Sequence, residues 1–365
     1  MTDDFLPIQG IDHLELYCGN ARQAAHFYQT GFGFAPVAVS GLETGNRRAA
    51  SYVMAQGEIR LVLTAALGPD DPIARHVQLH GDGVAVIALR VPDAGAAYRA
   101  TTARGATGAI PLTEAADDHG VLRFAAIRAY GDTLIKFVDR AGYRGPFAPG
   151  YESRGGGEQP GAGVGLAAID HIVGNVELGA MNRWVAFFAQ TMGFSQLVHF
   201  DDADITTEYS ALMSKVMQDG TGKVKFPINE PAEGQRKSQI QEYLDYYHGP
   251  GVQHIACATG DIIGTVRQLR DNGIEFLRVP AAYYDELTAR IGPIAEPVEA
   301  LADLGILVDR DEEGYLLQIF TRPVGDRPTL FFEIIERRGS RGFGKGNFRA
   351  LFEAIEREQA RRGNL

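Results

Sequence analysis

Residues 169–178 read IDHIVGNVEL, and residues 11–20 read IDHLELYCGN. Two further pairs follow in the same order: GDGVAVIALRVPD from Gly81 with GPGVQHIACATGD from Gly249, and GDTLIKFVDR from Gly131 with RPTLFFEIIER from Arg327. Three matched segments in one order, about half a chain apart, mark a tandem duplication. In the second copy His171, His254 and Glu333 fall in three separate apolar, strand-like runs, where an imidazole or carboxylate without a partner is costly. Their first-copy counterparts are His13, Val86 and, allowing a one-residue gap, Lys136. The fold therefore does not demand polar residues at the last two positions, and a lysine cannot join a cation as a carboxylate does. Two imidazoles and one carboxylate leave about three of six octahedral positions open, as in non-haem Fe(II) oxygenases. The second copy is read as the metal holder and the first as its structural partner. Donor types alone leave Zn, Mn and Ni open beside iron.

Each copy starts with a short strand carrying the His, then a helix. Met181, Trp184, Val185 and Phe188 recur at helical spacing with Gly193 as a stop, and the first-copy helix covers about Ala21–Gln29. Strand runs follow, then a second strand–helix–strand series that ends on YLLQIFTR and TLFFEIIE. The expected fold class is α+β: tandem βαβββ modules forming two open half-barrel domains, plus a C-terminal helix. The Gly- and Pro-dense stretch from Gly142 to Gly165 reads as a linker, placing the domains at 1–150 and 151–365. Near the C-terminus Phe348, Leu351, Phe352 and Ile355 lie at i, i+3, i+4 and i+7 behind Asn347, an expected N-cap. This amphipathic helix has no first-copy counterpart; it reads equally as a lid over the metal or as a cap on the core.

Composition narrows the function class. With 365 residues, 45% hydrophobic and 22% charged, the chain has the make-up of a globular protein long enough for two cores. The net charge of −11 argues against a nucleic-acid surface. No apolar run reaches a membrane span of about 18 residues, and MTDDFLPIQG lacks a basic and an apolar leader region, so a cytoplasmic protein with no membrane partner is expected. Only Cys18 and Cys257 occur, which leaves no disulfide framework and no thiolate zinc site; both read as buried small residues. A lone His on an apolar strand is more often core than ligand, and His13 is read so. His26, His76, His80, His119, His199 and His248 lie in helix-like or loop-like contexts and read as surface.

KSQIQEYLDYYHGPGVQHIA, FPINEPAEG, YLLQIFTRPVGDRPTLFFEIIERRG and GFGKGNFRALFEAIE resemble the signature segments of the 4-hydroxyphenylpyruvate dioxygenases, a family of vicinal oxygen chelate architecture. The similarity spans nearly the whole chain and is strongest from Ile169 onward. One departure is Pro250, in the turn before the His254 strand. The resemblance implies Fe(II) held by His171, His254 and Glu333. It implies conversion of 4-hydroxyphenylpyruvate and O2 to homogentisate and CO2, a step of tyrosine and phenylalanine breakdown, by oxidative decarboxylation, ring hydroxylation and side-chain migration. It puts Ser214, Asn229, Gln239 and Gln318 among the polar groups of the substrate pocket and Phe331, Phe343 and Phe348 around the aromatic ring. A homodimer or homotetramer is implied. Gln253, next to His254, should face away from the pocket. The near rival is 4-hydroxymandelate synthase, which shares fold, iron and substrate; Pro227 and Asn229 follow the dioxygenase pattern. A non-catalytic binding module of the same fold is the rival from another class, and the intact triad argues against it.

Overall fold

The computed structural model describes residues 4–154, 163–200, 211–232 and 237–364. In the first half β1 (Gly10–Tyr17), α1 (Ala21–Thr30), β2 (Ala35–Ser40), β3 (Ala49–Gln56) and β4 (Ile59–Ala66) form one unit. Helix α2 (Pro72–His80) leads to a second unit: β5 (Gly83–Arg90), α3 (Ala94–Thr102), β6 (Gly108–Asp117), β7 (Gly120–Arg128) and β8 (Leu134–Asp139). A two-residue β9 (Glu152–Ser153) follows. The second half repeats the pattern with β10 (Leu166–Asn175), α4 (Met181–Met192), β11 (Ser195–Phe200), β12 (Ala211–Gln218), β13 (Lys225–Ala232) and α5 (Gln239–Tyr247). Then come β14 (Gly251–Thr259), α6 (Ile262–Asp271), three short helices α7 (Ala282–Asp285), α8 (Leu287–Ile291) and α9 (Val298–Leu304), β15 (Leu307–Arg310), β16 (Tyr315–Phe320) and β17 (Phe331–Arg338). Helix α10 (Phe348–Arg361) closes the chain.

Local chemistry sets these boundaries. The side chains of Asn20, Asp93 and Asp261 accept from backbone N–H groups in the first turns of α1, α3 and α6. Gly193 takes φ 72° and ends α4, as its position predicts. Asn347 sits at the start of α10, but its side chain does not cap the helix; its Oδ1 accepts from the Tyr283 hydroxyl at 2.6 Å instead.

The first sheet runs β2-β3-β4-β1-β5-β8-β7-β6, with β9 added outside β2, and the second runs β11-β12-β13-β10-β14-β17-β16-β15. The eight-strand order is the same position for position. In each half the first strand pairs parallel with the fourth and antiparallel with the fifth, which pairs parallel with the eighth. The result is two curled half-barrel sheets built from paired βαβββ modules. Register fixes the equivalences: Ala88 lies opposite both His13 and Lys136, as Ala256 lies opposite both His171 and Glu333. Val86 pairs with Leu134 as His254 pairs with Phe331. The one-residue gap is therefore real, and Lys136 stands at the position of Glu333.

The stretch from Gly142 to Gly165, read as a linker, is partly packed. Tyr143, Phe147 and Val164 are buried, and β9 pairs with β2. The Arg140 guanidinium lies over the Phe147 ring at 4.9 Å and donates to its carbonyl, which pins the Pro-containing loop to the sheet. Residues 155–162 of this stretch lie outside the described residues. The halves meet through Gln56, whose amide nitrogen donates to the Phe32 carbonyl and whose oxygen accepts from the Val164 and Leu166 N–H groups. Of the histidines expected at the surface, His26, His119 and His248 are exposed. His76 and His80 are buried, because α2 lies on the seam between the halves, where His80 stacks on Tyr247. The side chain of His199 lies outside the described residues. Cys18 and Cys257 are free and buried, and burial pushes both thiols up, away from thiolate chemistry. Among the described residues no helix is long and apolar enough to cross a membrane.

Candidate metal centre and cavity

Strands β10, β14 and β17 are adjacent, so their inward side chains converge. The Glu333 Oε2 atom lies 3.1 Å from His171 Nε2 and 3.3 Å from His254 Nε2. All three side chains are buried. Their outer nitrogens are already engaged: His171 Nδ1 lies 2.7 Å from Asp170 Oδ1, and His254 Nδ1 lies 2.9 Å from Gln253 Oε1. Both partners accept, so each Nδ1 carries a proton and Nε2 is the atom each ring turns toward the carboxylate. Two imidazole nitrogens and a carboxylate oxygen facing one another in a buried site fit a divalent cation, which would take the place of a proton shared there, and the orienting acceptors are those a metal-bound imidazole uses.

Charge placement agrees. Burial would raise the Glu333 carboxyl, but His171 first and then His254 outweigh it and hold it down to about 2. Burial disfavours a charged His171, yet Glu333 and Asp170 draw it above the ordinary value; for His254 burial wins and lowers it. Glu333 is thus ionised at neutral pH, the form a cation would need. Burial opposes ionisation of Asp170 as well, but Arg337 and His171 hold it far below the usual carboxylate range.

The triad sits in a cavity with about 600 Å³ of space, mouth included. Phe331 stacks on His254 with centroids 4.8 Å apart, and Phe343 meets His171 edge-on at 5.1 Å. Ser214 and Asn229 face each other across β12 and β13 and line the cavity together with Gln239 at the start of α5. Phe348, Leu351, Phe352 and Ile355 of α10 cover it, so the apolar face of that helix roofs the triad rather than merely capping the core. Two positions differ from expectation. Gln253 lines the cavity although it precedes His254, because its side chain curls back to hold the His254 ring. Gln318 does not line it: the amide is buried under Gly344, where a Cβ would lie 2.2 Å from Nε2, and that Nε2 has no hydrogen-bond partner. The positive φ of 77° at Gly344 and the crowding below it both call for glycine there.

Residues 10–144 and 168–319 each match the Glyoxalase/Bleomycin resistance protein/Dioxygenase superfamily. A 4-hydroxyphenylpyruvate dioxygenase of Yarrowia lipolytica is 44% identical over 377 residues, covering 100% of this chain and 96% of its own. One of Dictyostelium discoideum is 45% identical over 370 residues, covering 98% and 100%. The chain belongs to the 4-hydroxyphenylpyruvate dioxygenase family. It is an enzyme of the dioxygenase class, and the donor set just described matches the metal dependence of such an enzyme. A solved structure of a triply substituted 4-hydroxymandelate synthase from Streptomyces coelicolor shares the fold, with a TM-score of 0.89, 34% identity, and coverage of 97% of this chain and 100% of that one. Family members act on a small molecule and O2, which suits a largely apolar cavity.

Sequence reading missed Asp170, Gln253 and Arg337. The signal for two of them was present. Asp precedes His in both copies, and Arg follows four residues after the Lys136 and Glu333 positions.

Proposed function

We propose that this dioxygenase binds Fe(II) through His171, His254 and Glu333 and converts 4-hydroxyphenylpyruvate and O2 to homogentisate and CO2. The reading is carried by one observation: the three donors converge on the wall of a cavity whose other walls suit an aromatic acid. When bound, the iron supplies O2 activation and open positions for the 2-oxo acid group. The protein's own contribution is orientation and exclusion of water. Phe331 and Phe343 lie against the ligand imidazoles and bracket the ring beside the metal. Ser214, Asn229 and Gln239 offer hydrogen-bonding groups to the polar end of the substrate. Gln318 would join them by a side-chain rotation past Gly344. Phe348, Leu351 and Phe352 keep bulk water out.

We take residues 151–365 as the catalytic domain and 1–150 as its metal-free partner. The chain would work in the cytoplasm as a homodimer or homotetramer, in keeping with its family resemblance, and in tyrosine and phenylalanine breakdown. A second reading, 4-hydroxymandelate synthesis from the same substrate, is favoured by the fold shared with that synthase. Pro227 and Asn229, both lining the cavity, support homogentisate.

Product identification after Fe(II), ascorbate and 4-hydroxyphenylpyruvate under air tests the choice. Homogentisate is expected. Hydroxymandelate would overturn the pocket reading while keeping the metal centre, and absence of O2 uptake with iron bound would sink both.

A further inference from the structure

Among the described residues one other group of three donors stands close together: His76, His80 and Asp132, with ligand atoms within 4.8 Å of one another. His76 and His80 are four apart on α2, so they share a face of the helix. Asp132 comes from the turn between β7 and β8, and its side chain is 57% exposed.

The proton positions are decided by the surroundings. His80 Nδ1 lies 2.5 Å from the Tyr247 carbonyl oxygen, which can only accept, so Nδ1 carries hydrogen. In a neutral ring Nε2 then presents a lone pair to Asp132 Oδ2, 3.0 Å away. Beside them His76 Nε2 is buried with no hydrogen-bond partner, on a residue only 9% exposed. The rings of His76 and His80 are 4.5 Å apart. A buried polar atom left without a partner needs an explanation. A cation shared by the three atoms supplies it, taking the place of the Nε2 proton that otherwise joins His80 to Asp132.

We propose that His76 Nε2, His80 Nε2 and Asp132 Oδ2 form a second divalent-cation site of the zinc class, on the seam between the two halves. Two imidazoles and a carboxylate suit zinc, whose tetrahedral donors lie about 3.4 Å apart. A shift of the His76 ring would bring the group, already within 4.8 Å, to that spacing. The exposed side of Asp132 leaves the fourth position to water. The Tyr247 carbonyl would hold the His80 ring as an outer-sphere acceptor does at other zinc centres. Arg327 donates to the Leu79, Gln78 and Tyr246 carbonyls next to this site, so the end of α2 is already tied to the second half. The cation would tighten that seam near the turn that leads to His254.

The test separates this site from the triad. A chain carrying His171→Ala and Glu333→Ala keeps one donor of the triad, and equilibrium dialysis against Zn²⁺ with metal quantitation should still give one equivalent per chain. Adding His76→Phe, or the milder Asp132→Asn at an exposed position, should weaken that equivalent at least tenfold. Cobalt substitution in the same background should give the visible bands of a four-coordinate ion and lose them with Asp132→Asn. No zinc in the background chain, or zinc unaffected by Asp132→Asn in a folded protein, would overturn the proposal.

Discussion

Arg337 grips Asp170 with two parallel bonds, Nε 2.7 Å from Oδ2 and Nη2 2.8 Å from Oδ1. In the first half Arg140 holds Asp12 at the same two distances, with the same atoms. Each aspartate also accepts from the next residue, His171 or His13, at 2.7 Å. The likeness extends to Phe343 and Phe147, each edge-on to its histidine at 5.1 Å and each below its arginine. An Asp–His–Arg–Phe frame thus exists in both copies, with or without the other two donors.

Asp170→Asn removes the charge that both His171 and Arg337 use. We expect metal affinity to fall about 10–100-fold, the usual effect of losing the orienting partner of a ligand imidazole. Chelator competition measures it. Asp12→Asn should leave metal affinity unchanged and lower only the melting temperature. Equal losses of affinity in both variants would show that the frame acts through global stability.

Lys136 is partly buried in the first sheet, and that burial holds its ammonium below the ordinary lysine value despite Glu15 and Asp12. The unfolded chain therefore binds more protons between the depressed value and 10.5. Stability from this group is full above pH 10.5 and lost as pH falls through the folded value. At pH 7 the cost is present, so Lys136→Met should raise the melting temperature by a few degrees. The gain should vanish near pH 10.5. Melts across that range decide it, and a pH-independent gain would assign the effect to packing instead.

Val86→His alone should add no metal site, because Lys136 remains at the carboxylate position. Val86→His with Lys136→Glu should recreate the donor set around His13. Fe(II) stoichiometry under nitrogen should then rise by one equivalent over the parent chain. No rise in a folded double variant would show that the first sheet lacks the needed spacing.

Helix α10 is held by Glu242, which accepts from Arg362 at 2.7 and 3.1 Å and from Asn364 at 3.0 Å. Glu242 is buried but Arg362 is exposed, so Glu242→Ala leaves the guanidinium to water and should cost about 1 kcal/mol at this contact. Faster proteolysis at α10 and a higher KM, with the metal content unchanged, are the expected readouts. An unchanged KM would mean that the roof does not depend on this tether.

Much of this was legible in the sequence because the duplication placed a control beside each candidate. The loss of His and Glu at Val86 and Lys136 separated ligand from scaffold without any coordinates. The α10 stripe was legible as amphipathic, whereas its roofing role needed the tertiary path. Three features escaped for physical reasons. Strand parity sets where a Cβ points, but a long amide can fold back, as at Gln253, or be shut out by a neighbouring loop, as at Gln318. Burial of His76 and His80 depends on contact between distant elements, which helix periodicity does not encode. The Gly- and Pro-rich stretch looked unpacked because aromatic anchors such as Phe147 are sparse there, yet one cation–ring contact suffices to seat it.

The shared frame also bears on how such a chain changes over generations. An aspartate, a histidine, an arginine and a phenylalanine persist in the first half beside Val86 and Lys136, so their retention there follows from the architecture of the sheet. The two copies then differ at the donor positions by two side chains on one backbone. In a gene of this kind, gaining or losing a three-donor set is a matter of a few codons, with no new fold to invent.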